Sequence, residues 1–182
     1  MADMDYSFVV VRFPSIERAE QGLGDIQQLA KEKAIKPKDL VIVSKTDDGK
    51  LKLHKTKSVG KSALKVGVAG LIVGAIVGGP VIWAAAGAVA GGMARWTQGP
   101  IKDDLAKEFG EKLEPGQAAL CGLISEYDIA EVRSRLKAQY PDTEMIAHEL
   151  PEKDVNSLGQ ALDSGDLLLE TNQAGHLGVI AA

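Results

Sequence analysis

The stretch VGVAGLIVGAIVGGPVIWAAAGAVAGGMA, from Val66 to Ala94, contains no charged residue over 29 positions. As one helix it would extend about 44 Å, which is longer than the roughly 30 Å hydrocarbon core of a bilayer. Its middle carries Gly78, Gly79 and Pro80, and a proline disfavours helix before it but suits the first turn of a new helix. The sequence therefore predicts a helical hairpin within 58–98 that turns at these three residues.

Small residues recur at helical spacing along both predicted arms. The predicted helix-packing positions are Gly67, Gly70, Gly74 and Gly78 in the first arm and Ala84, Gly87 and Gly91 in the second. Such stripes let two helix backbones approach closely. Because each glycine inside a helix costs about 1 kcal/mol relative to alanine, the arms need a packed or lipid environment to form. The stripes thus predict a glycine-zipper hairpin whose contact faces support self-association.

Basic residues flank the uncharged run. The segment from Lys45 to Lys65 holds seven lysines and two aspartates, whereas the segment from Asp103 to Glu170 holds sixteen acids and six bases. An anionic membrane surface attracts nearby basic residues by about 1 kcal/mol each, and tryptophan favours the membrane interface. The predicted membrane-surface residues are Lys57, Lys61, Lys65, Trp83, Arg95 and Trp96.

Three environments fit the hairpin, and an apolar surface of this size does not stay exposed on a soluble monomer. In the first, it inserts into or packs at a bilayer while the rest of the chain stays cytoplasmic. In the second, hairpins from several copies form the core of a cytoplasmic, soluble scaffold, shell or filament. In the third, it packs inside its own domain. We expect the first, with the chain itself and membrane lipid as partners.

The segments on either side of the hairpin each have a β-α-β pattern. The strands are predicted at 6–13, 39–46, 117–125 and 143–150, with an extra strand at 50–56 after an Asp48-Gly49 turn. The helices are predicted at 15–33 and 128–139, with Ser15 and Asp128 as their N-caps, and a short amphipathic helix at 101–113. This order predicts an α+β fold, a ferredoxin-like split βαβ sandwich with four antiparallel strands backed by two helices. The first half would cover 1–57, the inserted hairpin 58–98 and the second half 99–150. Residues 151–182 would form a C-terminal helix, from Pro151 to about Leu162, and a glycine-containing tail.

No catalytic, cofactor or metal site emerges from the residue pattern. The segment KTKSVGKS, from Lys55 to Ser62, ends like a phosphate-binding loop but has lysine where the first glycine is needed. The three histidines lack the short spacing of metal ligands, and Cys121 lies in an apolar strand. Basic and aromatic residues are not interleaved as in a nucleic-acid interface. We therefore expect a non-enzymatic protein that needs no cofactor and binds no nucleic acid.

Three features together resemble a known family. They are DGKLKLHKT (Asp48–Thr56), the glycine-rich hairpin, and LEPGQAAL (Leu113–Leu120). The combination is similar to a bacterial domain-of-unknown-function family of small glycine-zipper membrane proteins, over roughly residues 6–150. The resemblance implies bacterial origin and membrane association, and it implies no catalytic residue.

Overall fold

The computed structural model describes residues 5–54, 100–150, 152–153, 155–156, 167–171 and 177–181. The predicted hairpin 58–98 lies outside these ranges, and so does every predicted helix-packing, turn and membrane-surface residue. The helix predicted from Pro151 to Leu162 is described only at 152–153 and 155–156, which are helical. Within the described ranges, no helix combines the length and the apolar composition needed to cross a membrane.

The described residues form a five-stranded antiparallel sheet with three helices, which confirms the α+β class. The strands are β1 (Tyr6–Phe13), β2 (Pro37–Lys45), β3 (Leu51–His54), β4 (Ala118–Ser125) and β5 (Met145–Leu150), and the helices are α1 (Ile16–Lys31), α2 (Pro100–Lys107) and α3 (Ile129–Gln139). The spatial order of the strands is β3-β2-β4-β1-β5, and all neighbours are antiparallel. The predicted extra strand thus extends the edge of the sheet beside β2.

The helix ends follow local signals in one case and tertiary contacts in another. Ser15 precedes α1, and its hydroxyl accepts a hydrogen bond from the Arg18 N–H at 3.3 Å, as expected for an N-cap. Asp128 occupies the N-cap position of α3, as predicted, but its side chain makes no capping hydrogen bond. A 3₁₀ turn comes first, and the Asp128 carboxylate accepts a hydrogen bond from the Lys36 N–H at 2.9 Å.

One face of the sheet forms the main hydrophobic core with α1 and α3. Its buried members alternate along the strands, as the two-residue period of a strand requires. They include Val9, Val11 and Phe13 of β1, Ile42 of β2, Leu120 and Ile124 of β4, Ile26 and Leu29 of α1, and Val132 and Leu136 of α3.

The opposite face of the sheet is also buried, which the predicted two-helix arrangement does not include. Its buried side chains are Phe8, Val10, Val41, Val43, Cys121 and Leu123. Buried apolar residues of the segment that begins with α2 are Leu105, Phe109 and Leu113. The predicted helix over 101–113 is α-helical only to Lys107 and continues as a π-helical turn, Glu108–Lys112. Since β4 has both faces covered, all eight of its residues are buried.

The C-terminal tail contains two strands that the sequence analysis does not predict. They are β6 (Leu167–Thr171) and β7 (Leu177–Ala181), which pair antiparallel in a separate two-stranded sheet. Their register places Leu169 opposite Val179.

Candidate functional site

The sequence enters the predicted hairpin from β3, at the edge of the sheet. The predicted Asp48-Gly49 turn joins β2 to β3, and Gly49 has a φ of +82°, a conformation that glycine adopts at little cost. The Thr46 hydroxyl donates to Asp48, and the Lys50 N–H donates to the Thr46 hydroxyl at 3.1 Å. The turn is therefore held by its own side chains, and β3 is set in a fixed register on β2.

The last residue of β3 is also bonded to β2 through its side chain. Ser44 Oγ and His54 Nε2 are hydrogen-bonded at 2.7 Å, and Ser44 is buried. Burial lowers the pKa of His54, Lys52 lowers it further, and Glu20 opposes the shift. The contact fixes the strand at the residue immediately before the segment 55–99.

The chain returns to the described fold through α2 and the π-helical turn, where a buried carboxylate binds two cations. Glu108 is only 3% exposed, and its Oε1 lies 2.6 Å from Nε of Arg12 on β1. Its Oε2 lies 3.1 Å from Lys112 Nζ. Arg12 also forms an ion pair with Glu144 and donates to the Lys112 carbonyl at 3.2 Å. We refer to Arg12, Glu108, Lys112 and Glu144 as the Glu108 cluster.

A second contact attaches the π-helical turn to the same face of the sheet. Lys45, at the end of β2, donates from Nζ to the Gly110 carbonyl at 2.7 Å. The turn is thus held by side chains from two different strands. A π-helical turn is uncommon, and such turns are frequently found at functional sites. Here it places the Glu108 carboxylate beside Arg12.

Two titratable groups lie near this cluster. Burial lowers the pKa of His148 on β5, while Asp104 and Glu108 oppose the shift. Within the described part of the chain, the His148 Nε2 has no hydrogen-bond partner. Burial, with a smaller contribution from Glu108, raises the pKa of the Cys121 thiol, which therefore stays protonated at neutral pH.

Chemically, the cluster is a set of mutually neutralised charges that attaches the segment after the hairpin to the sheet. Among the described residues, no three His, Cys, Asp or Glu side chains are grouped as metal ligands. The Glu108 cluster was not predicted from the sequence. One residue could have indicated it, because Arg12 is a charged residue inside the apolar strand YSFVVVRF. A cation that alternates with buried residues needs a buried partner.

The sequence matches the model of one known family. A family model described as "Protein of unknown function (DUF1269)" matches residues 63–163, which is more than half of the chain. The chain belongs to this family.

The matched range includes the uncharged run, the Glu108 residue and the segment LEPGQAAL on which the resemblance rested. It continues to residue 163, beyond the expected limit at 150, and it begins after DGKLKLHKT. The strands β6 and β7 lie beyond it. No curated protein and no solved structure matches the chain.

Proposed function

We propose that this is a non-enzymatic, self-assembling, membrane-associated protein whose glycine-zipper hairpin 58–98 inserts into or packs at a bilayer, while the α+β domain stays cytoplasmic. One observation carries the proposal. The 29 residues from Val66 to Ala94 are uncharged and glycine-striped, and basic residues stand on both sides of them. Such a segment requires lipid or other protein around it. We extend the proposal to a bacterial source, as the family resemblance implies.

The topology of the sheet supports the insertion of a hairpin at this point. β2 ends at Lys45 and β4 begins at Ala118, yet the two strands pair directly, with Val43 opposite Ala119. Since β3 pairs at the outer edge of β2, the segment that follows β3 can leave the sheet without interrupting the pairing of β2 with β4. The order β2-β4-β1-β5 is also the one that a ferredoxin-like split βαβ fold would have, and it supports that assignment.

The contacts at the two ends of the segment support a fixed attachment to the domain. On the entry side, the Ser44–His54 hydrogen bond holds β3. On the return side, Arg12 and Lys45 hold the π-helical turn. A hairpin attached at both ends would keep its basic flanks close to the domain and on one side of a bilayer, as the distribution of positive charge in membrane proteins favours.

A soluble homo-oligomeric scaffold, shell or filament is the second candidate. The glycine stripes favour it, because close approach of helix backbones needs only another helix and not lipid. In that assembly the hairpins of several copies would form the core between subunits.

The membrane claim is tested by flotation of the full-length protein with vesicles of anionic and of neutral lipid, together with carbonate extraction of expressing cells. Replacement of three lysines of the basic flank by glutamine should reduce flotation with anionic vesicles. The test variant carries Lys57→Gln, Lys61→Gln and Lys65→Gln together. The control variant carries Lys31→Gln, Lys33→Gln and Lys36→Gln, which removes the same charge outside the basic flank. A wild-type protein that neither floats nor resists carbonate extraction would refute membrane association and favour the scaffold.

The assembly claim is tested by light scattering coupled to size-exclusion chromatography, without and with detergent. Gly74→Leu should reduce the oligomer size, because a leucine side chain blocks close helix approach. Val68→Leu enlarges an apolar side chain outside the glycine stripe and should leave the size unchanged. A wild-type monomer under both conditions, or equal behaviour of the two variants, would contradict the proposed contact face.

A further inference from the structure

A groove of about 470 Å³ lies at one end of the sheet, remote in sequence from the hairpin. It is formed where β1 meets α1, and where α3 turns toward β5. Its volume is in the range of small-molecule sites, roughly 300–1,000 Å³. Its lining combines aromatic rings with polar side chains and includes Phe13, Arg18, Gln117, Tyr140 and Asp142.

The aromatic wall of the groove is fixed by contacts on several sides. The rings of Phe13 and Tyr140 meet edge to face, with centroids 5.2 Å apart and an interplanar angle of 87°. The Tyr140 hydroxyl donates to Asp25 of α1 at 2.7 Å. Burial, followed by the hydrogen bond to Asp25, raises the pKa of Tyr140 to about 12, so the phenol remains a donor. The wall is therefore preorganised and does not need to be assembled by a ligand.

Two arginines line the groove, and in the part of the chain that the structure describes only one of them forms an ion pair with a carboxylate. Arg12 is paired with Glu108 and Glu144 in the Glu108 cluster. Arg18 is exposed, and its guanidinium carbon lies 5.9 Å from the centroid of the Tyr140 ring. Among the described lining residues, Arg18 is the cation that no carboxylate neutralises. One of its five N–H donors binds Gln21 at 3.2 Å. Its remaining donors can bind an anion.

The other polar groups restrict the charge of that anion. The Gln117 Oε1 accepts the Glu114 N–H at 3.0 Å, which leaves the amide NH₂ as a donor. Asp142 lines the same groove, and its carboxylate would repel a ligand with two or more negative charges more strongly than one with a single charge. A single carboxylate attached to an apolar body fits both the cation and the aromatic wall.

We propose that this groove binds a small organic monocarboxylate, with Arg18 pairing its carboxylate and Tyr140 contacting its apolar body. A guanidinium and a carboxylate can form two parallel hydrogen bonds, which makes Arg18 the residue that fixes ligand orientation. The residues that line the groove lie outside the predicted hairpin 58–98 in the sequence, and neither proposal depends on the other.

The full-length protein is titrated with benzoate and with phenylacetate, and binding is measured by calorimetry and by ¹H–¹⁵N NMR. Benzamide serves as the neutral analogue of benzoate, and inorganic phosphate as the multiply charged anion. We expect saturable binding of at least one carboxylate, amide shifts confined to the groove, and at least tenfold weaker binding of benzamide and phosphate. Arg18→Gln should weaken carboxylate binding by at least tenfold, Arg18→Lys by less, and Arg133→Gln, a change of an exposed arginine on α3, should have no effect.

Several outcomes would overturn the proposal. They are an absence of saturable binding by either carboxylate, equal binding of benzamide, tighter binding of phosphate, or full retention of binding in Arg18→Gln. Arg18→Lys shows whether any loss reflects the cation rather than the fold, because it keeps the charge and most of the side-chain volume.

Discussion

The Glu108 cluster predicts a measurable coupling between two residues that are far apart in the sequence. The perturbation is a double-mutant cycle with Arg12→Gln and Glu108→Gln, which removes the charge of each partner alone and of both together. The matched control is the surface pair Arg135 and Glu32, changed to glutamine in the same way. Both pairs join an arginine to a glutamate, and they differ in distance and exposure.

The structure sets the expected magnitudes. Removing one partner of a buried ion pair typically costs about 3–5 kcal/mol. Arg12 is a quarter exposed and keeps Glu144, so we expect a cost of about 2–3 kcal/mol for Glu108→Gln and a coupling of about 1–2 kcal/mol with Arg12. The control pair is 3.9 Å apart with both side chains over 40% exposed, and its coupling should stay below about 0.5 kcal/mol.

The assay is urea-induced unfolding of all variants in one buffer, read as a shift of the midpoint at constant slope. Raising the salt concentration should reduce the coupling of the exposed control pair more than that of Arg12 and Glu108, since buried pairs are screened less. A coupling between Arg12 and Glu108 no larger than that of the control pair would show that this contact does not hold the π-helical turn to the sheet.

Two further predictions concern a glycine pair and a histidine. An alanine side chain at Gly22 would lie 2.6 Å from the Phe13 ring, whereas one at Gly24 would meet nothing within 4 Å. Both changes gain helix propensity, so thermal unfolding should show Gly24→Ala more stable than Gly22→Ala by the overpacking cost, about 1–3 kcal/mol; equal stabilities would contradict the packing of α1 on β1. Because burial lowers the pKa of His148 below its ordinary 6.5, the folded state binds fewer protons, and stability should rise with pH up to about 6.5 and then level off. His148→Gln should reduce the slope of unfolding free energy against pH below about pH 6.5. Part of the slope would remain because the pKa of His54 is also lowered, and an unchanged slope would refute the assignment.

Within the part of the chain that the structure describes, short-range signals predicted most helices and strands of the main domain correctly. The apolar strand YSFVVVRF is β1 with the predicted bounds, and Asp48-Gly49 forms the predicted turn, because both depend on neighbouring residues. The burial of the opposite face of the sheet was not predicted. The run AALCGLIS of β4 is apolar on both faces, which indicates a strand covered on both sides, but a periodicity argument does not show what covers it.

The sites depend on longer-range relations. Asp128 was expected to cap the helix that follows it, but its carboxylate accepts a hydrogen bond from the Lys36 N–H, which is distant in the sequence. Glu108 and Arg12 are likewise brought together by folding, as are the Phe13 and Tyr140 rings in the groove. Nothing in the residues next to each of these side chains specifies its partner.

By itself, the sequence determined the α+β pattern of elements and an uncharged, glycine-striped segment between its two halves, since propensity, alternation and charge act over a few neighbouring residues. Only the tertiary structure decided that both faces of β4 are buried, that Glu108 is neutralised by Arg12, and that Arg18 and Tyr140 share a groove. The physical reason is that burial, ion pairing and ring packing depend on distances in space, which folding sets between residues that are distant along the chain.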